Sequence, residues 1–160
     1  MPVITGRHNN SDIFLDLGII DADAIDITDP TKQLTHIPTP NMFRALVDTG
    51  AQKTMISPRV IAALNLTPRG RILVSGVGPT AHYHNGYFFH VAFVVPMIPP
   101  GTVIPPNVPT TVQAVVHINT QVIYGGEIPS TGGSFDVLLG MDILATGLLT
   151  VQAGHFAFAY

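Results

Sequence analysis

The stretch Ala45-Leu46-Val47-Asp48-Thr49-Gly50-Ala51 decides how the rest of the chain is read. An apolar run delivers one carboxylate into a turn closed by a small residue and glycine, which predicts a strand from Phe43 to Val47 that ends at an acid. Most Asp-x-Gly sequences are only Asx turns, in which the side chain bonds its own backbone. Context separates this one from the rest. Thr54-Met55-Ile56-Ser57 follows it, and Phe135-Asp136-Val137-Leu138-Leu139-Gly140-Met141-Asp142-Ile143-Leu144 stands near the C-terminal end.

Around these two segments, fifteen Gly and fourteen Pro punctuate short β-branched and aromatic runs, the pattern of a β-sandwich or barrel. Further strands are expected at Ile13 to Ile20, Ile72 to Val77, Tyr87 to Val95, Val112 to Ile118, Gln121 to Tyr124, Phe135 to Leu139 and His155 to Tyr160. Phe89, Val91, Phe93 and Val95 share one face, as do Phe156, Phe158 and Tyr160, the two-residue period of half-buried strands. Helix is confined to two places. Ser57-Pro58 supplies an N-cap and a first-turn proline before Val60 to Leu64, and Gly147 is placed to stop a second short helix over Met141 to Thr146. The prolines between Pro96 and Pro109 cannot donate to a ladder, so that stretch is expected to be an extended arm.

Composition narrows the functional classes. The 160 residues fit one domain, residues 1–160, with the proline-rich insertion at about 96–110 as an elaboration of it. Only 11% of the residues are charged against 46% hydrophobic, so an apolar surface must be covered, most simply at a subunit interface. A net charge of −3, with seven Lys and Arg in no stripe, argues against nucleic acid as a partner. The absence of cysteine removes disulfides, thiolate nucleophiles and Cys-based zinc sites. No leader and no run of roughly 18 apolar residues is visible, which predicts a soluble chain with no membrane span. The compartment is left open, with the cytoplasm as the default.

The two segments quoted above make up the bipartite signature of the retropepsin-like aspartic peptidases, and the chain resembles that family. Gly50-Ala51-Gln52 together with Leu138-Leu139-Gly140-Met141-Asp142 looks closest to the retropepsin-like domain of the DNA-damage-inducible ubiquitin-shuttle proteins and to related bacterial and transposon-derived peptidases. The resemblance implies an all-β, single-lobe acid-protease fold, a closed barrel or sandwich with one or two short helices, active as a two-fold homodimer. It assigns Asp48 as the catalytic carboxylate. Thr49, Gly50 and Ala51 would form the active-site loop and dimer lock, and Leu138, Leu139 and Gly140 the element supporting it. Gly76, Val77 and Gly78 would form a flap closing over substrate. Leu46 and Ile56 are expected to line an apolar substrate pocket. Viral members carry an acidic pair where this chain has Gln52 and Lys53.

The chemistry implied needs two acids. Two adjacent carboxylates sharing one proton can activate water and polarise a carbonyl together, because both cannot ionise at once. This chain has one such motif and no internal repeat, so the second acid has to be Asp48 of another copy. The expected partners are a second subunit and an extended peptide, with no metal and no cofactor. Two rivals stand beside this reading: an inactive module that binds extended peptides in the same cleft, and a dimerisation module whose apolar surface is its purpose.

Other residues receive plainer readings. Asp142 is expected to cap or orient the second helix, and Asp136 to end a strand. The acidic N-terminal third, Asp12 to Asp29, lacks the spacing of a calcium loop. His82-x-His84, with His90 nearby, has no carboxylate or cysteine to complete a metal site and is read as a flap-proximal or edge-strand pair. The apolar ends, Pro2 to Thr5 and Phe156 to Tyr160, either interleave between subunits or pair within one chain.

Overall fold

The computed structural model describes residues 2–8, 12–25, 39–75, 80–97, 113–119, 121–128 and 133–160. In chain order its elements are β1 (Val3–Arg7), β2 (Phe14–Asp21), β3 (Asn41–Val47), β4 (Met55–Ile56), α1 (Pro58–Leu64), β5 (Gly70–Ser75), β6 (Ala81–Met97), β7 (Gln113–Ile118), β8 (Ile123–Glu127), β9 (Val137–Leu139), α2 (Met141–Leu144), β10 (Leu148–Gln152) and β11 (His155–Ala159). A 3-10 turn over Ala22–Ala24 follows β2. The architecture is all-β with two short α-helices. Strands β2, β3, β9, β4, β8 and β6 follow one another side by side, and β6 pairs back onto β2, which closes a six-stranded barrel. Strands β5 and β7 extend from β6, and β1, β11 and β10 form a separate three-stranded sheet.

One apolar core joins the two sheets. Leu17, Phe89, Ile56, Val137 and Leu139 of the barrel pack in the same cluster as Phe156 and Phe158 of β11. Phe89, Val91 and Phe93 share one face and one core cluster as read, but His90 and Ala92 between them are 0% exposed as well, so this part of β6 is buried on both faces. Phe93 meets Phe158 edge-on at 5.8 Å and Tyr160 at 4.3 Å between ring centroids. Helix α1 begins as its sequence suggests: Ser57 Oγ accepts the Val60 N–H at 3.4 Å, and Pro58 occupies the first turn. It ends at Asn65, whose φ of 51° is the left-handed conformation that asparagine tolerates.

Several boundaries differ from expectation for identifiable reasons. Strand β8 runs to Glu127 where Gln121 to Tyr124 is expected, because Gly125 and Gly126 stay in the ladder. Both are glycines of close approach. A Cβ on Gly125 would strike the Thr54 carbonyl and the Phe89 ring, and one on Gly126 would meet Ile72 Cγ2 at 2.7 Å. Strand β10 escapes a sequence reading because its hairpin turn, Ala153-Gly154, places alanine at φ 34° where asparagine or aspartate is the usual signal. Strand β4 is too short to show a period, and β1 is defined by its partner β11. Pro96 is part of β6, not of an arm. There β6 pairs with β7 alone, the kind of edge that tolerates a residue without an N–H. Residues 98–109, the rest of that arm, lie outside the described residues. The chain ends pair with each other inside one protomer, Ile4 opposite Phe158.

Burial pushes the Tyr160 phenol up to about 12 from 10.0. Its hydroxyl is buried with no hydrogen-bond partner among the described residues. The folded state therefore holds this proton to higher pH than the unfolded chain. Its contribution to stability is complete below pH 10 and is lost as the pH rises through about 12. Tyr87 is raised as well, by burial first and by the charge of Glu127 second, so a comparison of variants is needed to isolate Tyr160. In urea unfolding at stepped alkaline pH, Tyr160→Phe is expected to show a shallower loss of stability than wild type. At neutral pH it should be at least as stable, because no bond is lost.

Candidate active site

The site is built around β9, a three-residue strand of the barrel. β9 lies parallel to β3 on one side and antiparallel to β4 on the other. The loop 48–54 that joins β3 to β4 must therefore pass over the end of β9. Along this crossing the backbone is stitched down: the Asp48 N–H donates to the Leu139 carbonyl at 3.0 Å, and the Met141 N–H donates to the Ala51 carbonyl at 2.8 Å.

Asp48 itself is half-buried, with Thr49 and Gly50 exposed beyond it. Its Oδ1 accepts the Gly50 N–H at 2.8 Å and the Ala51 N–H at 3.2 Å. Among the described residues, these two amides fix the direction of the carboxylate without help from another side chain. The turn is closed by a further bond from the Ala51 N–H to the Asp48 carbonyl at 3.2 Å.

Thr54 carries the strongest tie. It is 0% exposed, and its Oγ1 donates to Asp142 Oδ1 at 2.7 Å while accepting the Gly140 N–H at 3.1 Å. The Thr54 N–H adds bonds to both Asp142 oxygens at 2.9 and 3.0 Å. Gly140 sits so close that a Cβ there would lie 2.6 Å from the Lys53 carbonyl carbon and 2.9 Å from the Thr54 nitrogen. Those are backbone atoms, which cannot step aside.

The fold thus brings Asp48, Thr49, Gly50 and Ala51 together with Leu138, Leu139 and Gly140. Leu46 stands level with Leu138, both half-buried on one sheet face. Ile56 is a correction to the expected pocket. It is 0% exposed and belongs to the core, because it faces the barrel interior with Val137. Gly76, Val77 and Gly78 lie outside the described residues.

Asp142 occupies the first turn of α2, yet its carboxylate serves the loop more than the helix. Asp136 does more than end a strand: it is buried and pairs with Arg59 Nη1 at 2.7 Å. Its Oδ1 also accepts from Ser57 Oγ at 3.4 Å, which anchors the start of α1. Thr54 is the residue that sequence reasoning missed. The available signal was a threonine leading into the apolar pair Met55-Ile56, a polar side chain that must find partners when buried. His90 is 0% exposed with Nδ1 3.1 Å from the Asn119 carbonyl oxygen, a core position. Among the described residues, no three His, Asp or Glu side chains gather as metal ligands would.

A closed barrel whose cross-tied loops present one carboxylate defines a class: an acid-bearing β-barrel built to hold an aspartate rigidly. The sequence model of one family, described as aspartyl protease, matches residues 41–143, the span from β3 to α2. The chain belongs to that aspartyl protease family. Among solved structures it is similar to a retropepsin-like aspartic protease from Rickettsia conorii, at 12% identity over 99% of this chain and 93% of that one, with a TM-score of 0.44. No curated protein matches the chain.

Removing the Thr54 hydroxyl tests whether the corner is held as described. Thr54→Val is expected to lose about 1–3 kcal/mol in urea unfolding, because it leaves the buried Gly140 N–H unpaired and strips a bond from Asp142. Thr54→Ser should recover most of that loss. A change no larger than that of an exposed substitution would show that the hydroxyl does not close the corner.

Proposed function

We propose that this chain is an aspartic endopeptidase that works as a two-fold homodimer, with Asp48 of each copy forming the catalytic dyad. The observation that carries the reading is the half-buried Asp48 carboxylate, oriented by two loop amides and braced from beneath by the Thr54 and Asp142 tie. A carboxylate held this firmly is pre-positioned, which is where the gain from orientation arises. One acid per chain calls for a second copy. Exposed apolar side chains support that copy: Leu148 is 66% exposed, Val151 50% and Val3 44%.

In the proposed cycle one Asp48 is ionised and its symmetry mate protonated. The ionised carboxylate takes a proton from water as the oxygen attacks the scissile carbonyl, and the protonated one gives its proton to the carbonyl oxygen. A tetrahedral diol results. Its collapse breaks the C–N bond as the protonated Asp48 gives its proton to the nitrogen and the other Asp48 takes one from a diol hydroxyl, so the original protonation pattern returns. Thr49 locks the two loops across the axis, Gly50 admits the substrate backbone, and Gly76, Val77 and Gly78 close over the peptide. Substrate lies extended along the Leu46 side of the sheet, held by main-chain bonds. Within the retropepsin-like class, the Gly50-Ala51-Gln52 and Leu138 to Asp142 runs favour kinship with the DNA-damage-inducible shuttle proteins and their bacterial and transposon-derived relatives.

The test is cleavage of an unbiased peptide library at acid and neutral pH. Asp48→Asn is expected to lower kcat/KM by about 10²–10⁴-fold or more, the contribution of a positioned acid or base. Its urea midpoint should barely move, because asparagine keeps the Oδ1 acceptor used by Gly50 and Ala51. Specific activity should rise with subunit concentration. Peptide binding without cleavage by the native protein would replace the peptidase with a binding module.

A further inference from the structure

The hairpin made by β5 and the first part of β6 has two distinct faces. Leu73 and Tyr83, opposite one another, are 54% and 61% exposed, with the Arg71 guanidinium 5.3 Å from the Tyr83 ring centroid. The alternate residues point the other way: Ile72 stands opposite His84, and Val74 opposite His82. Gly126 reveals which way that is. A Cβ there would meet both Ile72 Cγ2, at 2.7 Å, and Met55 Cε, at 3.0 Å, so these two side chains lie over the same side of the sheet. Met55 is level with Leu138 in β9, and Leu138 with Leu46 in β3. Residues in register share a face. The two imidazoles therefore stand on the face that carries Leu46, one alternation before Asp48.

Neither imidazole has structural employment. His84 is half-buried, His82 is exposed, and neither makes a hydrogen bond or ion pair among the described residues. The groups around them on that face are Ile72 and Val74 from β5, Met55 from β4, and Gly126 and Tyr124 from β8, while farther round it, beyond Leu46 and Phe14, Arg44 of β3 stands level with Asp16 of β2. Arg71 is taken up on the opposite face, and so is Glu127, which accepts from Asn85 at 3.3 Å and Tyr87 at 3.4 Å. Lys53 is exposed on the loop 48–54. The part of that face around Met55 and Ile72 thus carries two imidazoles whose ring N–H groups can donate to a ligand.

We infer that His82 and His84 are specificity residues that select an acidic side chain in the bound extended peptide. The inference rests on the peptidase reading for its substrate class but makes a separate claim about binding. The probes are apolar peptides carrying a single Glu or Gln scanned through each position. Binding is measured by fluorescence anisotropy on Asp48→Asn protein, and cleavage on the native protein. The best Glu peptide should bind about tenfold tighter than its Gln twin, as one charge-assisted bond to the carboxylate allows. Adding His82→Gln and His84→Gln together should abolish this discrimination, whereas Tyr83→Ser on the opposite face should leave it intact. Discrimination that survives the double substitution, or never occurs, overturns the inference. A Glu preference in binding without any cleavage sinks the peptidase reading alone, cleavage without a Glu preference sinks this one alone, and no binding of any peptide sinks both.

Discussion

The bond on which the site depends is the one from the Thr54 hydroxyl to Asp142, made in a fully buried position between residues 88 apart in sequence. It joins the end of the Asp48 loop to the first turn of α2, and the same hydroxyl receives the Gly140 N–H. A threonine so placed cannot be left without partners, since an unpaired buried group costs about 1–3 kcal/mol. The two segments therefore come together or not at all. That is why β9 runs beneath the loop with glycine at its exit, where no larger residue fits against the Lys53 and Thr54 backbone.

Seen this way, the Asx-turn reading of Asp48 and its role as a candidate catalytic acid are not opposed. The carboxylate does bond its own turn, through Gly50 and Ala51. An ordinary Asx turn sits on a loop free to fray. Here the turn is fastened through Asp48 to Leu139, through Ala51 to Met141, and through Thr54 to Asp142. Local geometry sets the direction of the acid, and tertiary bonds remove its freedom. The same pairing of a local motif with a distant brace holds α1, whose cap residue Ser57 also meets Asp136.

How much of this was legible in the sequence depended on the range of the interaction. Alternation marked the buried face of β6 because each residue's position was set by its neighbours two away. The helix starts were readable because Ser57 and Pro58 act within one turn. Thr54 with Asp142 was invisible as a pair, since no periodicity links two positions on different strands. Ile56 was misplaced for the opposite reason: alternation distinguishes it from Met55, but which of the two faces the barrel interior is decided by β9 lying alongside. Strand β10 vanished behind an alanine in a left-handed turn, and Gly125-Gly126 read as a break although both faces of that strand are too crowded for side chains.

The ends of the chain bear on how two copies would meet. β1 pairs with β11 of its own chain across five residues, which satisfies one side of β1 and, with β10 opposite, leaves β11 paired on both. A partner that interleaved its ends would first have to unmake that ladder, at the expense of the Ile4, Phe156 and Phe158 contacts with the core. The small sheet instead leaves β1 and β10 as its open edges, with Val3, Leu148 and Val151 the exposed apolar side chains beside them. Unpaired edges of this kind accept an added strand readily. In the proposed dimer the symmetry mate therefore docks against edges and loops already formed, and the barrel that holds Asp48 can assemble before its partner arrives.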